Sequence, residues 1–168
     1  VDFRVTHGFS YEPDDVATAI LDKKFQASLA ALEGLKERRV LSQKKEDGVL
    51  VRRVLHVLEL QAGGMAKRFL GDGDPAWVEV ATWQPQDKRW TWVIEPEVGG
   101  DLLEAHGTTT IAPSEGGSTR EVAGLVKVKV PFYGGKVEGW IVNGLRSAYD
   151  EEAGLLETWL STGMGEGL

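Results

Sequence analysis

A change of hydrophobic period near residue 135 constrains this chain more than any other feature. Before it, apolar residues recur mostly at every second position. After it, Val137, Ile141, Leu145, Ala148, Leu155 and Trp159 fall on one stripe at steps of three, four and seven. Period two marks a half-buried strand, and steps near 3.6 mark an amphipathic helix. The spacing predicts a helix over 135–160, roughly 38 Å long at about 1.5 Å per residue, enough to cross a sheet from end to end. Gly139, Gly144 and Gly154 lie inside it. Each costs up to about 1 kcal/mol relative to alanine, so packing rather than propensity must hold this helix. A run of strands followed by one long helix gives an α+β domain in which the helix buries one face of an antiparallel sheet.

The preceding chain supplies the sheet. Phe3, Val5, His7, Phe9 and Tyr11 alternate with Arg4, Thr6, Gly8 and Ser10, which reads as a first strand. Pro13, Asp14 and Asp15 suit a first helical turn, and Asp22 suits the cap of a second short helix with Phe25, Leu29 and Leu32 inward. Strands are predicted at 38–45 and 49–59 about Asp47-Gly48, at 77–83 and 90–95, and at 102–112 and 120–130. With the first, these make a seven-stranded sheet, with two short helices between strands one and two. Residues 61–75 read as a glycine-rich connection. Within it, Met65 to Leu70 sets apolar residues beside Lys67 and Arg68 and could be a gate or membrane-touching element, or an ordinary packed turn. Residues 1–161 form one domain, and 162–168 read as a flexible tail.

Composition excludes several function classes. The chain has no cysteine, which removes disulfides, thiol nucleophiles and zinc-thiolate sites. The net charge of −7 argues against a nucleic-acid partner, whose phosphates demand a basic surface. No stretch reaches the ~20 apolar residues of a membrane span, and the first residues enter a strand pattern without a signal-like segment, so a cytoplasmic location is expected. Lys36, Arg38, Arg39, Lys44, Lys45, Arg52 and Arg53 gather in one hairpin. They read as an exposed edge that deters aggregation, or as a patch for anionic headgroups or an acidic partner.

Three local motifs carry a resemblance. Phe9-Ser10-Tyr11-Glu12-Pro13-Asp14-Asp15-Val16, Asp22-Lys23-Lys24-Phe25 and Val130-Pro131-Phe132-Tyr133-Gly134-Gly135-Lys136-Val137-Glu138 resemble the strand-to-helix entry, second helix and final-helix start of the START-related, polyketide-cyclase and pollen-allergen superfamily. The last resembles a bacterial branch bearing a domain-of-unknown-function label. The resemblance implies the helix-grip fold, a curved antiparallel sheet around a long C-terminal helix, with space for an apolar ligand. Superfamily members bind sterols, lipids, polyketides or hormones, some as enzymes and others as carriers. These motifs are topological, so they speak to fold rather than to activity.

Candidate site residues follow from the two apolar surfaces that face each other. These are Val5, His7 and Phe9 from the first strand, Trp90, Trp92 and Ile94 from the fifth, and Ile141, Leu145, Ala148 and Glu152 from the helix. Glu152 breaks the apolar stripe; about 20° from Ile141 in direction, it sits in a pocket, pairs with a basic residue of the sheet, or lies at the rim. His7, His56 and His106 fall on three strands without a local pair, so no metal site or cofactor is expected. The glycine pairs lack the context of a phosphate loop. Three functions remain open. One is a binding or carrier protein for an apolar or amphipathic small molecule such as a lipid. Another is a cyclase- or dehydratase-like enzyme with His7 or Glu152 as general acid-base. The third is a co-chaperone-like or structural module with a filled core.

Overall fold

The computed structural model describes residues 1–58, 76–98 and 100–163. The segment at 65–70, singled out above as a candidate gate, lies outside the described residues. So does the tail from 164 on.

The element order is β1 (Asp2–Phe9), α1 (Pro13–Leu21), α2 (Lys23–Ser28), β2 (Leu35–Glu46), β3 (Val49–Leu58), β4 (Ala76–Gln84), β5 (Arg89–Val98), β6 (Leu103–Ser114), β7 (Gly117–Val128) and α3 (Gly134–Thr162). The strands form one antiparallel sheet in the order β1-β7-β6-β5-β4-β3-β2. Because β1 and β2 lie at opposite edges, the chain between them must traverse the sheet. It does so through α1, which packs against α3, β6 and β7, and α2.

Local chemistry sets these boundaries. Pro13 opens α1, with Asp14 and Asp15 in its first turn. Asp22 caps α2: its Oδ1 accepts hydrogen bonds from the backbone N–H groups of Lys24 at 2.7 Å and Phe25 at 3.1 Å. Asp47 and Gly48 both take positive φ, as a tight two-residue hairpin with the sheet's twist requires. α3 closes on Gly163 at φ 62°, the left-handed conformation that ends many helices.

The core lies between the inner sheet face and α1, α2 and α3. Phe3, Val5 and Phe9 of β1, Val122 and Val126 of β7, Phe25, Leu29, and Val137, Val142 and Leu156 of α3 are all buried in it. Trp159 packs edge-on against Phe25, with ring centroids 5.5 Å apart. The expectation for Leu155 is corrected: it is exposed, and the residue driven into the core at that turn is Leu156. The tryptophans of β5 face inward, while Val93 faces out.

One row of the register explains how β5 fits. Arg52, Ala81, Trp92, Gly107, Gly124 and Phe3 are successive partners across six strands. The indole of Trp92 lies over the two glycines: a Cβ at Gly107 would come within 2.5 Å of the ring, and one at Gly124 within 2.9 Å.

Candidate functional site

Strand alternation brings polar as well as aromatic side chains to the inner face. On β3, Arg52 and His56 share the parity of the fully buried Val54. His56 pairs in register with Arg38 of β2 on one side and Trp77 of β4 on the other. Its ring stacks on Trp77 with centroids 5.7 Å apart. Between these strands and α3 lies a cavity of about 100 Å³, lined by Arg38, Arg52, His56, Trp77, Glu79, Trp90, Trp92, Arg120, Leu145, Ala148, Tyr149 and Glu152, with Gln26 of α2 at its edge. A second space of about 30 Å³ adjoins it, sharing Trp77, Glu79, Trp92, Leu145 and Tyr149 and adding Ile94 and Ile141.

The residues expected at the site therefore divide. Trp90, Trp92, Leu145, Ala148 and Glu152 line the larger cavity, and Ile94 and Ile141 line the smaller. Val5, His7 and Phe9 line neither. The reason is Arg120 of β7, 1% exposed, which stands in front of β1. Its guanidinium donates to Glu152 Oε1 at 2.8 Å and to the Tyr149 carbonyl at 3.3 Å, and lies 3.3 Å from His7 Nδ1. The other ring nitrogen of His7 is 2.7 Å from Asp150 Oδ1. His7 and Glu152 thus belong to one network that ties β1 and β7 to α3.

The basic hairpin also divides, which corrects its reading as a single exposed cluster. Arg39 is exposed, and Arg53 pairs with Glu46 at 2.6 Å on the outer face. Arg38 and Arg52 turn inward. Arg38 donates to the carbonyl and side-chain oxygen of Gln26, both at 2.7 Å. Arg52 donates to the Ile20 carbonyl at 3.0 Å, and its guanidinium carbon lies 4.3 Å from the Trp90 ring centroid.

Burial governs the electrostatics. Desolvation lowers the Arg52 pKa to about 10, with the nearby Arg38 adding to the effect and Glu79 and Glu152 opposing it. His56 is pushed down to about 3, first by desolvation and then by the charges of Arg38 and Arg52, so its ring is neutral near pH 7. Desolvation raises the Glu79 carboxyl, against the pull of Arg52 and Arg38. The Tyr149 phenol is likewise raised, by desolvation and by Glu79 and Glu152. Among the described residues, no group of three or more His, Cys, Asp or Glu converges as a metal site, and no helix is long and apolar enough to cross a membrane.

The sequence pattern of one family covers nearly all of this architecture. Described as protein of unknown function DUF2505, it matches residues 4–160. The chain belongs to that family. No curated protein matches the chain. Several solved structures resemble the chain in fold. A protein of Thermus thermophilus, TTHA0849, superposes with a TM-score of 0.70 at 13% identity, covering 97% of this chain and 99% of that one. The di-domain aromatase/cyclase StfQ of the steffimycin biosynthetic pathway gives 0.68 at 12% identity, covering 98% of this chain and 52% of that one. A START superfamily protein of Mycobacterium smegmatis gives 0.59 at 15% identity, covering 96% and 97%. At these identities the likeness establishes the fold alone: this DUF2505 chain has a helix-grip architecture like that of the structures it superposes on.

Proposed function

We propose that the chain is a binding or carrier protein for a small amphipathic molecule held between the sheet and α3. The observation that carries this reading is the cavity of about 100 Å³, where Trp77, Trp90 and Trp92 meet Leu145 and Ala148 beside a set of polar groups. An apolar wall with a few fixed polar groups is the usual make-up of a small-molecule site. Only with the adjoining space of about 30 Å³ does the cavity approach the ~150 Å³ that holds benzene in another protein, so a single ring or a short branched chain is the largest ligand it suits. A long acyl chain needs more room than these two spaces between the sheet and α3 offer, so a lipid is the less favoured ligand. The fold supports the same reading, because its solved neighbours include a START superfamily protein and an aromatase/cyclase. The enzymatic alternative with His7 or Glu152 as general acid-base loses support, because the Arg120 network engages both.

Ala148 on α3 is the point at which to test this. Binding of benzyl alcohol, followed by ligand-observed NMR, is expected for the parent chain and is expected to be lost in Ala148→Phe, whose ring fills the space. Binding that persists in a folded Ala148→Phe protein would place the site elsewhere and overturn the proposal.

A further inference from the structure

The polar atoms of the cavity are unevenly satisfied, and nearly all of the unsatisfied ones are donors. Among the described residues, Arg52 Nε, Trp90 Nε1, Trp92 Nε1 and Arg120 Nε are buried with no hydrogen-bond partner, as is His56 Nε2. All five residues line the same cavity. Arg52, Trp90, Trp92 and Arg120 are 6%, 3%, 6% and 1% exposed. A buried N–H left without an acceptor is costly, and native proteins leave few of them. Four such groups, on residues that line one space, are satisfied when an occupant brings acceptors and the side chains turn toward it.

Charge points the same way. Three guanidinium groups line the cavity, those of Arg38, Arg52 and Arg120, against the two carboxyl groups of Glu79 and Glu152. The Arg120–Glu152 pair is closed at 2.8 Å. Among the described residues, neither Arg38 nor Arg52 has a carboxylate within 4.0 Å; their hydrogen bonds go to neutral oxygens of Gln26, Ile20 and Gln43. Among the described residues, Arg52 is a buried cation with no carboxylate in contact, and it stacks on Trp90. A buried charge is normally paired.

We infer that the ligand is a small organic anion, a carboxylate or phenolate on a single ring or short branched body, whose oxygen atoms are taken by Arg52 together with the indole N–H groups of Trp90 and Trp92. The inference rests on the cavity being a ligand site and adds the class of ligand. Arg52 supplies a charge that Glu79 offsets only from beyond 4.0 Å. The two indole groups supply neutral donors that are shielded from solvent and turn toward the anion as it binds. The apolar body of the ligand lies against Trp77, Leu145 and Ala148.

Sodium benzoate and benzyl alcohol, which share a ring and differ in the anionic group, separate this inference from the reading beneath it. Benzoate is expected to bind the parent chain at least tenfold more tightly, and to shift the side-chain N–H resonances of Trp90 and Trp92 in ¹⁵N-correlated spectra. Both effects are expected to be lost in Ala148→Phe. In Arg52→Gln the ratio of benzoate to benzyl alcohol affinity is expected to fall about tenfold. The comparison of the two probes on the parent chain stands even if Arg52→Gln fails to fold. Benzyl alcohol binding as tightly as benzoate would overturn the anion and leave the cavity reading intact. Binding of neither probe would overturn both. Benzoate binding that leaves the two indole resonances unmoved, or that survives Ala148→Phe, would assign the anion to the outer arginines and also overturn the inference.

Discussion

Arg120 and Glu152 meet at 2.8 Å across the interface between β7 and α3, the arginine 1% exposed and the glutamate side chain 17% exposed. The pair explains why a carboxylate interrupts the apolar stripe of the last helix. A buried guanidinium left without its carboxylate is destabilising by about 3–5 kcal/mol. Glu152→Ala is therefore expected to lower the unfolding free energy by about 3 kcal/mol. Glu152→Gln, which also removes the charge but keeps an acceptor for the Arg120 N–H, is expected to cost about 1 kcal/mol less than Glu152→Ala. Urea denaturation of the two variants checks the ranking. Equal losses would mean that the charge of Glu152, and not an acceptor at that position, carries the stabilisation.

The same carboxylate decides which leucine of the helix is buried. Stepping from Ala148 through Glu152 leads to Leu156, 0% exposed, whereas avoiding the charge leads to Leu155, 38% exposed. Leu156→Ala is expected to cost about 2–5 kcal/mol, the usual range for emptying a packed leucine site. Leu155→Ala is expected to stay within about 0.5 kcal/mol of the parent. Thermal or urea midpoints of the two proteins distinguish them, and a larger loss for Leu155→Ala would invert the helix face assigned here.

The architecture is legible in the sequence because two periods carry it. Alternation in β1 and the 3.6-residue pattern of α3 are both set by which side chains leave water, and both survive without knowledge of partners. Leu155 is misplaced when the stripe is followed through apolar residues alone; its true path runs through a charge neutralised only by a partner 32 positions away in sequence. The polar half of the cavity is hidden for a related reason. Arg38 and Arg52 read as surface residues of a basic hairpin, since a buried arginine cannot be told from an exposed one by type. Parity is the available signal: Arg52 and His56 alternate in phase with Val54, and Arg120 with Val122. The Val5, His7 and Phe9 face reads correctly as inward, but only the fold reveals that Arg120 stands between β1 and the cavity.

His56 gives the molecule a pH dependence whose direction follows from its burial. Its pKa is about 3 in the folded chain, against an ordinary value of 6.5. Between those values an unfolded chain binds a proton at His56 that the folded chain does not. The contribution of His56 to stability is therefore greatest above pH 6.5 and falls as the pH drops, by up to about 1.4 kcal/mol per unit. Glu79 acts in the opposite sense. Its carboxyl is raised above 4.5, so the folded chain holds a proton there more readily than the unfolded chain does, and that term disfavours folding as the pH rises through its window. The two oppose each other above pH 4.5, so the parent chain alone does not separate them. His56→Phe does, because it removes the titrating ring and keeps an aromatic surface against Trp77. Between pH 7 and pH 5 the parent chain is expected to lose about 2 kcal/mol relative to His56→Phe. Urea denaturation of both proteins at the two pH values measures this difference. A constant gap would mean that His56 takes up its proton inside the folded chain at an ordinary pH, which the charges of Arg38 and Arg52 and the loss of water around the ring both oppose.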